Sequence, residues 1–149
     1  MTATPAGVPE HPLGVKVMDD DHAALEALLR AAKALPDDAL PSALEEISAE
    51  VAAHFTREEE EMRAHDVPVL FCHMAQHKRI IDLLAAARGL VEARDSARLR
   101  MFLSVMLPGE IEAHINSVDR MSARFMTGDL APAAGDELRL PERDILSLR

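Results

Sequence analysis

The chain has no tryptophan, no tyrosine and only four phenylalanines. A protein this poor in flat side chains has little with which to stack on exposed bases or sugars. It has a single cysteine, which excludes an intramolecular disulfide framework and a cysteine-based zinc site. Positive charge is also short: 16 Lys and Arg stand against 26 Asp and Glu, a formal net charge of −10. That balance argues against a phosphate-backbone binder, and no nucleic-acid partner is expected. No stretch approaches the ~20 apolar residues of a membrane span. The segment from Met1 to Lys16 carries Pro5, Pro9 and Pro12 without the apolar run of a signal peptide. A cytoplasmic protein with no membrane partner is the expectation. What remains is a 149-residue chain, 48% hydrophobic and 28% charged, of a size and composition that suit one globular domain.

Breaks at Pro and Gly divide the middle of the chain into four segments with helical apolar periodicity. Helices are predicted over about 19–35, 41–65, 69–94 and 96–125, the last interrupted by Pro108-Gly109. The expected core stripes are Leu25, Leu28, Leu29 and Ala32; Ile47, Val51, Phe55 and Met62; Leu70, Ile80, Ile81 and Leu84; and Leu103, Leu107, Ile111, Val118, Met121 and Phe125. Long β-branched alternation is missing, so the fold class is all-α. Four helices with short connections imply an up-down-up-down four-helix bundle. The expected organisation is a domain over 1–126 (arm 1–18, bundle 19–126) and a C-terminal tail over 127–149. Leu138, Leu140, Ile145, Leu146 and Leu148 of that tail suit either a short docking helix or an unknown protein partner.

Polar residues interrupt each stripe. His22 precedes Leu25; His54 and Glu58 lie between Val51 and Met62; His73 and His77 precede Ile80; His114 follows Ile111, with Asp119 beyond it. His54/Glu58 and His73/His77 are i, i+4 pairs that project from one helix face. In an antiparallel bundle the four clusters reach one level. His22 and His54 each stand 13 residues from the first turn, and the third and fourth helices each span 18 residues between the second turn and their histidines. Seven ionisable groups buried without partners would cost several kcal/mol or more. Taken as metal ligands, they lose that difficulty. Seven are too many for one tetrahedral zinc and suit two ions sharing carboxylates, with Glu58 and Asp119 as the natural bridges. Imidazole and carboxylate without thiolate favour iron over manganese or zinc. No Glu-x-x-His occurs, which disfavours a ferritin-like site.

The set His22, His54-Phe55-Thr56-Arg57-Glu58, His73-Met74-Ala75-Gln76-His77 and His114-Ile115-Asn116-Ser117-Val118-Asp119 resembles the hemerythrins, in particular the single-domain bacterial ones, over about residues 12–126. The resemblance implies a non-haem di-iron centre with a bridging oxo or hydroxo group and O2 as an end-on, reversible ligand. It implies that His73, His77 and His114 hold one iron and His22 and His54 the other, with Glu58 and Asp119 bridging. It therefore implies an oxygen-binding protein for storage, delivery or sensing rather than an enzyme, with no catalytic residues to name. Two alternatives stay open: a di-iron oxidoreductase acting on nitric oxide or peroxide, and an iron- or oxygen-responsive interaction module.

Three local features carry further expectations. His114 and Asp119 are five residues apart, about 140° on a regular α-helix, so a π-type turn is expected between them. Glu110 stands where bacterial hemerythrins commonly carry Trp. It is read either as turned to solvent by a kink at Pro108 or, with Phe55, Ile111 and Ile115, as part of the pocket around the centre. Cys72 is expected to be a small buried hydrophobe, His11 to be exposed, and Glu61 and His65 to face the open end of the bundle.

Overall fold

Each helix begins and ends for a local reason. The computed structural model describes residues 12–129. Helix α1 (Lys16–Ala32) starts three residues earlier than periodicity suggests. The Asp19 carboxylate reaches back to accept the backbone N–H groups of Leu13 (2.7 Å) and Gly14 (3.0 Å), which fixes the entry of the chain. After a 3₁₀ turn at Asp37–Ala39, α2 (Leu40–Ala64) opens with Pro41 in its first turn, where a missing N–H is harmless. It closes with Asp66 in the left-handed region (φ 51°) and Val67 N–H bonded to Met62 C=O at 3.0 Å. Helix α3 (Leu70–Glu92) ends the same way, on Arg94 (φ 54°) and a 2.9 Å bond from Asp95 N–H to Leu90 C=O. These are Schellman-type closures without glycine. Asp95 then caps the next helix by accepting Arg98 N–H at 3.1 Å.

The fourth helix runs over 96–126 without interruption, as α-helical stretches Ser96–Met101, Leu107–His114 and Arg120–Met126 joined by π-helical turns at Phe102–Met106 and Ile115–Asp119. The expected break at Pro108-Gly109 does not occur. Just before the proline, Leu107 N–H bonds back five residues to Phe102 C=O, and the widened turn carries Pro108 within the helix.

Helix α1 packs on α2, α2 on α3, and the fourth helix closes the bundle against α3 and α1. No strand occurs among the described residues, and the molecule is an all-α four-helix bundle. Leu25, Leu29, Leu40, Leu44, Ile47, Val51, Ile80, Leu84, Leu99, Leu103 and Leu107 form one apolar core. Two expected core residues face outward: Ile81 and Met121 are 36% and 42% exposed. For Met121 the cause is the second π turn, which re-phases the helix and buries Ser122 and Ala123 instead. Among the described residues, no helix is long and apolar enough to cross a membrane.

Candidate metal centre

The four helices deliver seven polar side chains into the bundle above this core. His22 comes from α1, His54 and Glu58 from α2, His73 and His77 from α3, and His114 and Asp119 from the fourth helix; none is more than 5% exposed. The π turn at Ile115–Asp119 is what allows the last pair. Arg120 N–H bonds back to Ile115 C=O, and residues five apart are brought onto one face.

The seven form two overlapping groups, each with donor atoms within 4.8 Å of one another. One comprises Glu58, His73, His77, His114 and Asp119; the other comprises His22, His54, Glu58 and Asp119. The two carboxylates belong to both and divide their oxygens between them. Glu58 Oε1 lies 2.5 Å from His73 Nε2, 3.1 Å from His77 Nε2 and 3.9 Å from His114 Nε2, while its Oε2 lies 3.0 Å from His54 Nε2 and 3.9 Å from His22 Nε2. Asp119 Oδ1 lies 2.8 Å from His73 Nε2 and 2.9 Å from His114 Nε2, and its Oδ2 lies 2.9 Å from His22 Nε2.

Apart from the hydrogen bond between His77 Nε2 and Glu58 Oε1, most of this proximity is not hydrogen bonding. The Nε2 atoms of His22, His73 and His114, Glu58 Oε2 and both Asp119 oxygens are buried without a hydrogen-bond partner, despite contacts near 3 Å. Their lone pairs are not aimed at one another's hydrogens. Orphaned buried polar atoms are expensive, and a cation between them satisfies them together. The residues therefore fit a metal.

Electrostatics agree with that fit. Burial opposes ionisation of Glu58, but the surrounding imidazoles of His114, His54, His73 and His77 outweigh it and hold the carboxyl well below its usual range. Burial and the neighbouring Glu58 charge both push Asp119 up, and His114, His22 and His73 overcome them. Burial likewise opposes the charged form of His54, yet Asp21 and Glu58 raise it to about 10; His114 is raised to about 9 by Asp119 and Glu58.

Three outer residues escaped the sequence reading. With Nε2 facing the centre, His54 Nδ1 donates to Asp21 Oδ2 (3.1 Å), His77 Nδ1 to Glu59 Oε1 (2.8 Å) and His73 Nδ1 to Ser122 Oγ (2.7 Å). Such bonds fix the ring orientation of a ligating histidine. Asp21 is itself gripped by Arg57, with Nε to Oδ2 at 2.8 Å and Nη2 to Oδ1 at 2.9 Å. The signal for Asp21 was its place beside His22, and that for Glu59 its place beside Glu58 in an acidic run that reads as solvated. Ser122 had no signal beyond lying three residues past Asp119.

Of the pocket candidates, Phe55, Ile111 and Ile115 are buried. Phe55 stacks on His77 with ring centroids 3.8 Å apart and planes at 8°. Ile111 and Ile115 also border a surface cleft of about 240 Å³ with Leu29 and Pro108. Of the two readings of Glu110 the structure has the outward one, without the kink, and not the place in the pocket. Both of its oxygens are taken by Arg79 of α3, at 2.5 and 3.1 Å, on the outer surface. The unbroken helix keeps Leu107, Ile111 and His114 inward, which leaves Glu110 at the edge facing α3. Cys72 is also corrected: it is exposed and borders a cleft between the start of α3 and the second π turn. Glu61 and His65 are a surface pair, with His65 Nδ1 2.8 Å from Glu61 C=O. His11 and the tail residues 130–149 lie outside the described residues.

Comparison with known proteins places this geometry. The family model described as "Hemerythrin HHE cation binding domain" matches residues 13–121. A curated relative, a bacteriohemerythrin from Ralstonia nicotianae (strain ATCC BAA-1114 / GMI1000), is 31% identical over 114 residues, covering 76% of this chain and 82% of the relative. No solved structure matches.

Proposed function

The chain belongs to the hemerythrin family, and on that premise we propose that it binds two iron ions and takes up O2 reversibly, for storage, delivery or sensing. The observation that carries the reading is the division of the carboxylate oxygens. One oxygen of Glu58 and one of Asp119 face His73 and His114, and the other of each faces His22, with His54 beside Glu58 Oε2. Carboxylates so placed would hold two ions between them. His73, His77 and His114 would hold one, and His22 and His54 the other. The half with two imidazoles has fewer protein donors and would be the one to leave room for an exogenous ligand. Bound iron would supply the redox chemistry that a diatomic oxidant requires.

The remaining work falls to this chain's own residues. Met18 lies one turn before His22 and Met62 one turn after Glu58; both are fully buried and close the centre toward that end of the bundle. Phe55, Ile111 and Ile115 add apolar walls. Buried apolar side chains of this kind would withhold the water and protons that turn binding into net reduction. Glu110, the residue whose carboxylate would have favoured proton-coupled enzymology, is paired outward with Arg79 and supports the carrier reading by its absence from the pocket.

The test is anaerobic loading with Fe(II), an O2 pulse and then removal of O2 under vacuum, followed by metal analysis and visible absorption. Two irons per chain, and a charge-transfer band that appears with O2 and disappears under vacuum, are expected. Immediate and irreversible oxidation, with consumption of added nitric oxide or peroxide by the reduced protein, would replace this reading with the oxidoreductase.

A further inference from the structure

The two carboxylates that back the histidines from outside are not equivalent. Asp21, behind His54, is compensated: Arg57 lays its guanidinium across both oxygens, and Asp21 Oδ2 is shared between Arg57 Nε and His54 Nδ1. Arg57 is anchored in turn by Glu50 Oε1 at 3.1 Å. Among the described residues Glu59, behind His77, has no such fork: the guanidinium that pairs with it, Arg63 on the same helix, reaches only 3.6 Å from the other oxygen, Oε2. His73 is backed by a neutral hydroxyl, Ser122.

A carboxylate accepting from an imidazole N–H draws that proton outward and makes the opposite nitrogen a stronger donor. A bidentate guanidinium on the same carboxylate competes for its lone pairs and cancels its charge. We infer that Arg57 is a remote positioning residue which, through its fork on Asp21, tempers His54 as a donor and leaves the His22/His54 half of the centre electron-poorer than the half containing His77. The inference rests on the metal-binding reading above and assigns a role to residues that touch no metal. Arg57 sits on α2 three residues from His54, so it spans from its own helix to α1 and ties the orientation of His54 to the packing of the two helices.

The test uses Arg57→Gln, Arg57→Lys and Asp21→Asn in the full chain, with Zn(II) affinity measured by chelator competition and the midpoint potential of the iron-loaded protein. Asp21→Asn weakens the donor, so Zn(II) binding falls about ten- to hundredfold and the potential rises. Arg57→Gln leaves Asp21 uncompensated, so Zn(II) binds at least as tightly as in the wild type and the potential falls. Arg57→Lys keeps the charge and returns the potential toward the wild-type value. A mere packing strut gives another pattern: both Arg57→Gln and Asp21→Asn lose Zn(II) affinity and shift the potential in one direction, which overturns the inference. A wild-type chain that binds Zn(II) but fewer than two irons defeats the two-iron reading instead, and the opposed zinc affinities still decide the role of Arg57.

Discussion

The same four helices build two ends of the bundle by opposite chemistry. At one end Leu29, Leu40, Leu44, Leu84, Leu99 and Leu103 interlock, each at most 5% exposed. At the other, five imidazoles and two carboxylates are buried to the same degree. Leucines gain from leaving water whatever their exact neighbours, at roughly 25 cal/mol per Å² of apolar surface. Buried charges gain only if each lone pair and proton finds a partner, and several here find none within the protein. The contrast divides the labour: the apolar end holds the helices in register, and the polar end spends that rigidity on presenting donors to a cation.

The contrast can be broken from either side. The largest effect is expected from Glu58→Ala. Glu58 belongs to both donor groups, so metal analysis should show loss of both equivalents, whereas His22→Ala should spare the group built on His73, His77 and His114. A Glu58→Ala chain that keeps one full equivalent would show that the two groups do not depend on a shared carboxylate. At the apolar end, Leu44→Ala should lower the unfolding free energy by about 2–5 kcal/mol and leave the metal count unchanged, read by denaturant titration beside metal analysis.

Proton linkage gives a smaller and more gradual signal. His54 and His114 are raised to about 10 and about 9 by their carboxylate neighbours. A histidine raised above its unfolded value stabilises the fold fully below about pH 6.5, and that contribution fades as pH climbs through 9 to 10. Chelator-stripped protein should therefore lose thermal stability across that alkaline window, and metal-loaded protein should lose less. Loading at pH 7 should also release protons, visible as a buffer-dependent heat in calorimetry. The smallest effect is expected from Glu110→Leu. A surface ion pair contributes little, so the oxidation rate of the loaded protein and its melting temperature should both stay near the wild-type values. A markedly slower oxidation would return Glu110 to the pocket.

The four helices were legible because their apolar residues recur with the helical period, and the donors because they occupy core positions in that same period. His54/Glu58 and His73/His77 needed only an i, i+4 count. The π turn before Asp119 was legible as a conflict between a five-residue spacing and one shared face, and the structure contains that turn. The π turn at Phe102–Met106 was not, because a proline reads as a break unless the turn before it is known to widen. Met121 went astray for a related reason: it lies just past the second π turn, where a regular wheel no longer predicts which side faces inward. Cys72 is a different case, because it stands one residue, about 100° round a regular helix, from the inward His73 and so faces outward, whatever the tendency of cysteine to be buried.

Periodicity is a property of one helix, and by itself the sequence determined which side chains each helix offers and at what height. Which residue stands behind His54, His77 and His73 is a property of two helices. Asp21 meets His54 across 33 residues, Glu59 meets His77 across 18 and Ser122 meets His73 across 49. Those pairings, like the turning of Glu110 onto Arg79 across 31 residues, depend on how the helices rotate and slide against one another. Only the tertiary structure decided them, because hydrogen-bond partners must agree in position to within a few tenths of an ångström, whereas a hydrophobic stripe tolerates a far looser fit.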